Sequence, residues 1–334
     1  MKKFLVVGAG FSGATIAREL ADAGHLVDVV EKRDHIAGNA YDYINEVGIR
    51  VHKYGPHLFH TKNKKVYDYL SRFTEWLPYR HRVKAMLSDG RLVTLPVNHE
   101  TKQIVGEENI IDVFYRPYTK KMWGVELERL DPSVARRVQV RDDYNEYYFP
   151  DDDYQAMPRH GYYELVYNML NHENVCCYVG CDFSKSWESE YDHVFNSMPI
   201  DVYYDYEHGA LPYRSIKFNH VNMPVNRMLP VATVNFTDDK PVTRMTEWKN
   251  IPGHATSDMG WTTLTFETPC DYSENEFERY YPVKDVDGEN RARYEKYKSI
   301  QNDKTTFIGR CGMYTYIDMD QAVNSALRIA MEWK

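Results

Sequence analysis

The chain has 334 residues, of which 43% are hydrophobic and 27% charged, and its formal net charge at pH 7 is −8. A chain of this length is typical of about two domains and can bury a substantial core. The acidic balance argues against a general nucleic-acid binder, because neutralising phosphates requires a basic face. It does not exclude an anionic small ligand, which needs only a local pair of arginines.

The cysteines and the hydropathy pattern indicate the setting. The chain has 5 cysteines, an odd number with no C-x-x-C pair, which fits reduced thiols in the cytoplasm. Cys176 and Cys177 are neighbours in a predicted strand, so their side chains point to opposite faces and are poorly placed to share a metal ion. No window approaches the roughly 20 apolar residues of a membrane span. We expect a soluble cytoplasmic protein with no metal site and no membrane contact.

The first 40 residues have the pattern of a strand, a glycine turn, a helix and a second strand. Phe4 to Val7 form a continuous apolar run, as parallel strands do. Ile16 and Leu20 give the helix an apolar stripe, and the second strand ends at Glu31. This is the context that a dinucleotide-binding glycine motif requires.

The motif itself is "GAGFSG". Gly8 permits the tight turn, Gly10 lets the backbone approach a pyrophosphate, and Gly13 packs the helix on the strand. The helix N-terminus favours the negative pyrophosphate, and Glu31 is placed to accept hydrogen bonds from a ribose. In the alternative interpretation, the glycines serve only a tight turn and bind no cofactor. We predict these cofactor contacts in this part of the chain: Gly8, Gly10, Ser12, Gly13, Glu31, Lys32, Gly38 and Asn39.

The later segments predict a second sheet. Residues 81–97 have a hairpin pattern that turns at Asp89-Gly90, and "IIDVFYRPYTKKMWG" has helical spacing. "SIKFNHV", "ATVNFTD", "TRMTEWK" and "WTTLTFET" alternate like antiparallel strands. The last 30 residues have the pattern of a strand, a loop and a helix. The nucleotide domain is therefore expected to open and close the chain, and we find no internal repeat.

Eight further segments, in order, carry a family resemblance: "KYGPHLFHT", "YTKKMWG", "RRVQVR", "YRSIKF", "NFTD", "TRMTEWK", "YYPV" and "YIDM". Together with the glycine module they resemble the UDP-galactopyranose mutases over most of the chain. Members of that family use reduced FAD without net redox change. Flavin N5 attacks the anomeric carbon of the sugar, UDP leaves, and the ring recloses through another hydroxyl before UDP returns.

The resemblance implies an isomerase that interconverts UDP-galactopyranose and UDP-galactofuranose for cell-surface polysaccharide, with an external reductant for FAD. The "FIGR" segment and the Gly38-Asn39 turn resemble segments of flavoproteins, and this resemblance favours FAD over NAD as the cofactor. The implied fold is α/β, with a discontinuous Rossmann-like FAD domain (1–78, 170–212 and 303–334), an antiparallel sheet domain (79–98, 130–169 and 213–302) and a reduced helical domain (99–129).

The resemblance also implies roles for individual residues. A departing diphosphate gains charge, so fixed guanidinium groups are the expected catalysts. Arg137 and Arg244 match the diphosphate clamp, and His57 is the third catalytic candidate. The implied substrate contacts are Phe114, Tyr115, Tyr118, Trp123, Tyr148, Tyr316 and Asp318. The implied cofactor contacts beyond the glycine module are His57, His60, Arg214, Arg310, Asp318 and Met319.

The largest departure of the sequence from the family is a deletion. Only about residues 98–109 stand where family members carry several helices that supply part of the base pocket and the dimer contact. We therefore expect a monomer or an atypical oligomer, and the nucleotide base stays open. Ala37 replaces a usual glycine, which is tolerable if its φ is negative.

Three other functions stay open. The same chemistry could act on UDP-arabinopyranose, UDP-N-acetylgalactosamine or a GDP-sugar. An amine-oxidase-like flavin oxidoreductase would share the FAD fold, but an amine substrate has no diphosphate for arginines to hold. A binding protein that has lost catalysis is opposed by the retention of each catalytic candidate.

Overall fold

The structure is a computed structural model that describes residues 1–129, 140–256 and 260–334. Its strands, in chain order, are β1 (Lys3–Val7), β2 (Leu26–Glu31), β3 (Asp42–Ile44), β4 (Arg50–His52), β5 (Phe59–Thr61), β6 (Trp76–Pro78), β7 (Val83–Met86), β8 (Leu92–Leu95), β9 (Tyr154–Pro158), β10 (Val175–Val179), β11 (His193–Asn196), β12 (Tyr213–Met223), β13 (Thr233–Phe236), β14 (Arg244–Glu247), β15 (Thr262–Asp271), β16 (Tyr281–Pro282) and β17 (Thr305–Phe307).

The helices are α1 (Phe11–Asp22), α2 (Lys64–Leu70), α3 (His99–Val105), α4 (Arg116–Trp123), α5 (Gly161–Leu170), α6 (Ile200–Tyr203), α7 (Glu289–Ser299), α8 (Gly309–Gly312) and α9 (Met319–Met331). A π-helical turn at Ile111–Tyr115 leads into α4. No helix in the described ranges is long and apolar enough to cross a membrane.

A five-stranded parallel sheet forms the first layer, in the order β10-β2-β1-β11-β17. The apolar run of β1 takes the central place because both of its faces are covered, and Phe4, Leu5 and Val6 are fully buried. Since all five strands run the same way, their carboxyl ends share one edge. Gly8 follows β1 at that edge, and Gly309 follows β17.

A seven-stranded sheet forms the second layer, in the order β16-β12-β15-β14-β13-β7-β8. All its pairs are antiparallel except β13 with β7. The hairpin predicted at Asp89-Gly90 is confirmed as β7 and β8, with Val83 opposite Leu95. The four alternating segments form β12 to β15, as predicted. Two small antiparallel sheets, β3-β4 and β5-β9-β6, complete the strands.

One face of the seven-stranded sheet is polar although it is covered. The register places Arg244 opposite Asn235 on one side and Glu267 on the other. The next row places Thr246 opposite Thr233 and Thr265. Sheets usually cover an apolar face and expose a polar one, so a covered polar row indicates a binding site rather than a core.

Helix α5 packs beside the parallel sheet. The sequence assigned residues 161–169 to the sheet domain, but α5 packs against α1 in the core of the parallel sheet. Tyr162 is fully buried and its ring lies 5.9 Å from that of Phe11. The apolar side of α5 requires an apolar partner, and α1 supplies it.

Helix α4 is fixed along the second sheet by two cationic side chains. Lys121 Nζ donates to the carbonyls of Phe236 and Val242, at 3.0 and 3.1 Å. The Arg214 guanidinium donates to the carbonyl of Met122 at 2.8 Å, at the end of the helix where backbone acceptors lack intrahelical partners. These contacts hold the aromatic side chains of α4 over the polar face of the sheet.

Candidate active site

A cavity of about 690 Å³ lies between the polar face of the second sheet, helix α4 and the amino end of α9. Eleven of the residues that the sequence singled out line it: His57, His60, Phe114, Tyr118, Trp123, Tyr148, Arg244, Arg310, Tyr316, Asp318 and Met319. They come from six separate stretches of the chain, so the tertiary fold assembles the cavity.

Arg244 and Glu267 form the charged centre of the cavity floor. Arg244 Nε lies 2.7 Å from Glu267 Oε2, and the Glu267 side chain is 1% exposed. Burial alone would lower the pKa of Arg244, but the neighbouring carboxylate raises it overall, so the guanidinium stays charged. The pair fixes the orientation of the guanidinium, and the cavity exposes the remaining N–H groups of Arg244. An oriented guanidinium suits a phosphate or carboxylate.

Glu267 has a second feature. Its Oε1 is buried and accepts no hydrogen bond from the described residues. Burial raises the pKa of Glu267, and Arg244 partly opposes that shift. A buried carboxylate oxygen without a partner is costly, and a hydroxyl or N–H of a bound ligand would relieve that cost.

Tyrosines surround this centre. Burial raises the pKa of Tyr118 to about 12 despite the nearby Arg244 charge, and it raises the pKa values of Tyr148 and Tyr281 as well. All three hydroxyls are therefore protonated at neutral pH and can donate to an anion. Tyr281 stacks on Tyr316 with ring centroids 5.2 Å apart. Around Arg244 the cavity thus offers a fixed cation and several neutral donors.

Arg310 closes the end of the cavity near the parallel sheet. Its guanidinium donates to the carbonyls of Tyr280 at 3.0 Å and Ile317 at 2.7 Å, and it lies 4.7 Å from the ring centroid of Tyr316. Arg310 belongs to α8, which directly follows β17. It therefore places a positive charge where the parallel sheet meets the cavity.

A chain of buried histidines holds His57 in place. The backbone N–H of His57 donates to His52 Nδ1 at 3.1 Å, and His52 Nε2 lies 3.0 Å from His254 Nε2. Because His52 Nδ1 accepts, its proton is on Nε2, and His254 must accept through Nε2. His57 Nδ1 lies 2.9 Å from the Gly55 carbonyl, which assigns its proton to Nδ1. Burial lowers the pKa of His57 to about 4, so the ring is neutral at pH 7.

The glycine turn has the shape that a dinucleotide needs. Gly8 has φ of +98°, and a Cβ on Gly13 would lie 1.9 Å from the Gly8 carbonyl oxygen. A Cβ on Gly10 would meet only Gly38, at 3.7 Å, so bare backbone faces outward there. Glu31 Oε2 accepts from the Ala9 N–H at 2.9 Å and holds the turn. The residues present therefore fit a pyrophosphate at the start of α1.

Other predicted cofactor residues lie around this turn. Ser12 is buried in the first turn of α1, and its Oγ is 3.4 Å from where a Cβ on Gly309 would stand. Asn39 Oδ1 accepts from Arg33 Nη1 at 3.0 Å. Lys32 is exposed. Their contacts with a cofactor stay predictions.

Among the described residues, two substrate or flavin candidates do not line the cavity. Tyr115 packs with Phe114 on the apolar cluster of β7 and β8. Arg214 does not line the cavity, because its guanidinium is engaged by the last carbonyls of α4. Arg137 lies outside the described residues.

The expectation for Ala37 was wrong. Its φ is 72° and its ψ 1°, in the left-handed region that favours glycine. The backbone N–H of Ala37 donates to the Ala9 carbonyl at 2.9 Å. That hydrogen bond and the turn into Gly38 impose the conformation whatever residue stands there.

Sequence reasoning missed several cavity residues, chiefly Glu267, Tyr281, Thr233, Asn235 and His81. A signal existed for two of them. Tyr281 stands in the "YYPV" segment that carried the resemblance, and Glu267 extends an alternation of polar residues along a strand rich in threonine. Thr233 Oγ1 and Asn235 Oδ1 are buried without partners among the described residues, which only the pairing of β13 with its neighbours reveals.

The parallel sheet and its glycine turn define a Rossmann-type dinucleotide-binding fold, and the cavity is the candidate active site. Residues 6–73 match a family described as NAD(P)-binding Rossmann-like domain, and residues 113–316 match the family described as UDP-galactopyranose mutase. The chain belongs to the UDP-galactopyranose mutase family and is an isomerase.

Individual relatives agree over nearly the whole chain. A probable UDP-galactopyranose mutase of Klebsiella pneumoniae is 33% identical over 371 positions, covering 99% of this chain and 94% of the relative. A dTDP-fucopyranose mutase of Escherichia coli is 34% identical, covering 99% and 98%. The crystal structure of a reduced UDP-galactopyranose mutase has a TM-score of 0.76 at 16% identity, covering 100% of this chain and 94% of that one. This likeness shows the shared fold.

Proposed function

We propose that this protein is an FAD-dependent mutase that interconverts the pyranose and furanose forms of a nucleotide-sugar, with UDP-galactopyranose as the first candidate substrate. The observation that carries the proposal is the oriented Arg244 on the cavity floor, surrounded by protonated tyrosine hydroxyls. A diphosphate leaving group requires such a fixed cation. The amine-oxidase alternative gives this cation no role.

The sequence similarity to a dTDP-fucopyranose mutase supports a second candidate substrate, dTDP-fucopyranose. The two sugars differ at C6, and the two nucleotides differ in the base methyl group and the ribose 2′-hydroxyl. Thr233 and Asn235, with their unpaired oxygens, are suitable groups to tell polar from apolar ligand atoms apart. UDP-arabinopyranose, UDP-N-acetylgalactosamine and a GDP-sugar complete the panel.

Reduced FAD, when bound, would supply the nucleophile for the anomeric carbon without net redox change. The glycine turn and the start of α1 would hold its pyrophosphate. Arg310, Met319 and His57 would contact its far end, because they line the cavity where the parallel-sheet edge meets it. The neutral His57 can accept a hydrogen bond through Nε2 or present its edge to a ring.

The residues of this chain would act on the diphosphate. Arg244, held by Glu267, would bind an oxygen whose negative charge grows as the bond from C1 to the diphosphate breaks. Tyr118 and Tyr316 would donate hydrogen bonds to the same group. Because these interactions strengthen as charge develops, they lower the barrier more than they tighten substrate binding. Arg137 is the proposed second cation of this clamp.

The decisive experiment uses dithionite-reduced holoprotein and the full panel of nucleotide-pyranoses, with NMR detection of furanose. We expect furanose from at least one nucleotide-sugar and only from the reduced protein. Equal turnover by the oxidised protein would exclude the mechanism. Absence of furanose across the panel, together with amine-dependent oxygen consumption, would establish the oxidoreductase instead.

Further parts of the proposal concern organisation. We propose the three-domain division given by the sequence, with α5 joined to the cofactor domain, an external reductant for FAD, and a cytoplasmic location. We also propose that the protein is a monomer or dimerises by a surface other than residues 99–125. A structure with these residues at a dimer interface would refute the last point.

A further inference from the structure

His60, which lines the cavity and which the resemblance implies as a cofactor contact, forms a histidine–carboxylate pair with Asp152. His60 Nδ1 lies 2.6 Å from Asp152 Oδ2, and the two side chains are 21% and 19% exposed. The His60 ring stacks on Phe149, with centroids 3.5 Å apart and an interplanar angle of 12°. The carboxylate binds one ring nitrogen and the stacked ring fixes the plane, so Nε2 is the nitrogen available to a ligand in the cavity.

Two neighbours show where His60 lies in the cavity wall. The neighbouring Thr61 donates to Asp320 at 2.8 Å, which joins β5 to the start of α9. On the other side is His81, whose pKa is lowered to about 3 by burial and then by the charges of Arg244 and His60. His60 and Arg244 are therefore both within electrostatic reach of His81, and β5 holds His60 near the start of α9.

The proposed reaction requires a group that transfers a proton between two oxygens of the sugar. When a pyranose becomes a furanose, the C1–O5 bond breaks and a C1–O4 bond forms. Oxygen O5 must gain a proton, and oxygen O4 must lose one. One group that donates and then accepts leaves the charge unchanged, and an imidazole is the side chain whose ordinary pKa suits both steps near neutral pH.

We propose that His60, oriented by Asp152, carries the proton between O5 and O4 of the sugar during ring opening and closure. The inference rests on the proposed function. Throughout the proposed cycle Asp152 accepts a hydrogen bond from Nδ1–H of His60. Nε2–H protonates O5 as the C1–O5 bond breaks, and Nε2 takes the O4 proton as the C1–O4 bond forms, which restores the starting state.

Bond cleavage and ring change can be measured separately. The reduced holoenzyme receives whichever nucleotide-pyranose of the panel gives furanose, labelled with oxygen-18 in the bridge between C1 and phosphorus. Movement of the label to non-bridging positions reports cleavage and re-formation of that bond, which needs no ring opening. Furanose appearance reports the full reaction.

We expect His60→Gln to keep label exchange within about threefold while furanose formation falls by roughly 100-fold, the usual share of general acid–base catalysis. Asp152→Asn should lower furanose formation by about tenfold, again with exchange retained, because the imidazolium loses its counter-charge. Imidazole added to His60→Ala should restore part of the furanose rate. A merely structural role of His60 would give no such rescue.

The matched control is His172→Gln. His172 also pairs with a carboxylate, Asp22, at 3.5 Å, but it stands outside the cavity and should change neither measurement. Equal loss of exchange and furanose in His60→Gln would place His60 in C1–O cleavage or binding and overturn the proposal, as would unchanged furanose formation. If the wild-type protein itself gave neither exchange nor furanose, the proposed function would fail instead.

Discussion

The two large sheets of this protein prepare their binding surfaces in opposite ways. The central strand of the parallel sheet is apolar and buried on both faces, and this sheet presents its ligand surface at its edge, through the backbone of the turn from Gly8 to Gly13. The seven-stranded sheet presents a face, where the side chains of Asn235, Arg244 and Glu267 meet across three strands. One surface is made of backbone N–H groups and a helix end, the other of paired charges and hydroxyls.

This difference predicts which property of the protein each substitution should change. A backbone surface tolerates no added atom but depends little on side-chain chemistry. A side-chain surface tolerates changes of shape better but depends on charge. We therefore expect substitutions in the glycine turn of the parallel sheet to reduce cofactor retention. Substitutions on the polar face of the seven-stranded sheet should reduce turnover instead.

The largest effect is expected from Gly13→Ala in the parallel sheet. The added Cβ would stand 1.9 Å from the Gly8 carbonyl oxygen, so the turn or α1 must move. We expect loss of bound flavin and a loss in the free energy of unfolding of about 3 kcal/mol or more, since such overpacking has no flexible neighbour to yield. Flavin absorbance and urea unfolding measure both quantities.

Gly24→Ala is the control for that substitution. Gly24 also has a positive φ, +84°, but a Cβ there meets nothing within 4 Å. Only the cost of a left-handed alanine remains, about 1–2 kcal/mol. Retention of flavin in Gly13→Ala at the level of Gly24→Ala would contradict the backbone account of the first sheet.

Next in size is Arg244→Ala in the second sheet. Turnover should fall by ten- to a hundredfold or more with flavin retained, because a charge-assisted contact contributes about 1.5–3 kcal/mol. The substitution also leaves Glu267 buried and unpaired, so stability should fall as well. In Arg244→Ala/Glu267→Gln we expect stability to recover and turnover to stay low, as seen by urea unfolding and furanose assays.

The adjacent arginines Arg136 and Arg137 extend this test. The resemblance predicts that Arg137→Ala impairs turnover like Arg244→Ala and that Arg136→Ala is mild. Reversal of the two would mean that the match to the family is shifted by one residue. Normal turnover in both Arg137→Ala and Arg244→Ala would end the diphosphate-clamp assignment.

A pH dependence should also reveal the buried histidines that hold the second surface. The folded pKa of His57 and of His254 is about 4, lowered chiefly by burial, against about 6.5 in an unfolded chain. Below pH 6.5 the unfolded state therefore binds more protons, and stability should fall as pH drops from 6.5 towards 4. Urea midpoints across this range should show the slope. It should be shallower in His254→Gln and unchanged in the exposed-site variant His160→Gln.

The smallest effect should come from Ala37→Gly. Glycine removes the strain of φ at 72°, roughly 1–2 kcal/mol, but it frees the unfolded chain and deletes a buried methyl group. The expected net change is within about 1 kcal/mol. Ala17→Gly, in the buried middle of α1, has no strain to relieve and should lose more than 1 kcal/mol. Equal losses in the two variants, measured by thermal unfolding, would show that Ala37 is unstrained.

Features that depend on interactions between nearby residues could be predicted from the sequence. The turn from Gly8 to Gly13, the Asp89-Gly90 hairpin and the alternating strands each depend on neighbours within a few residues, so spacing and residue type predict them. The family resemblance supplied Arg244, Tyr118 and Tyr316 for the same cavity, although geometry played no part in that inference.

Features that depend on contacts between distant segments could be seen in the tertiary structure alone. The register of β15 against β14 places Glu267 beside Arg244. The guanidinium of Arg214 contacts the end of α4 and does not line the cavity. His60 meets Asp152 across 92 positions of sequence. The φ of Ala37 follows from a hydrogen bond to the glycine turn. No local pattern encodes these contacts, because each depends on the relative position of elements that the packing of the two sheets sets.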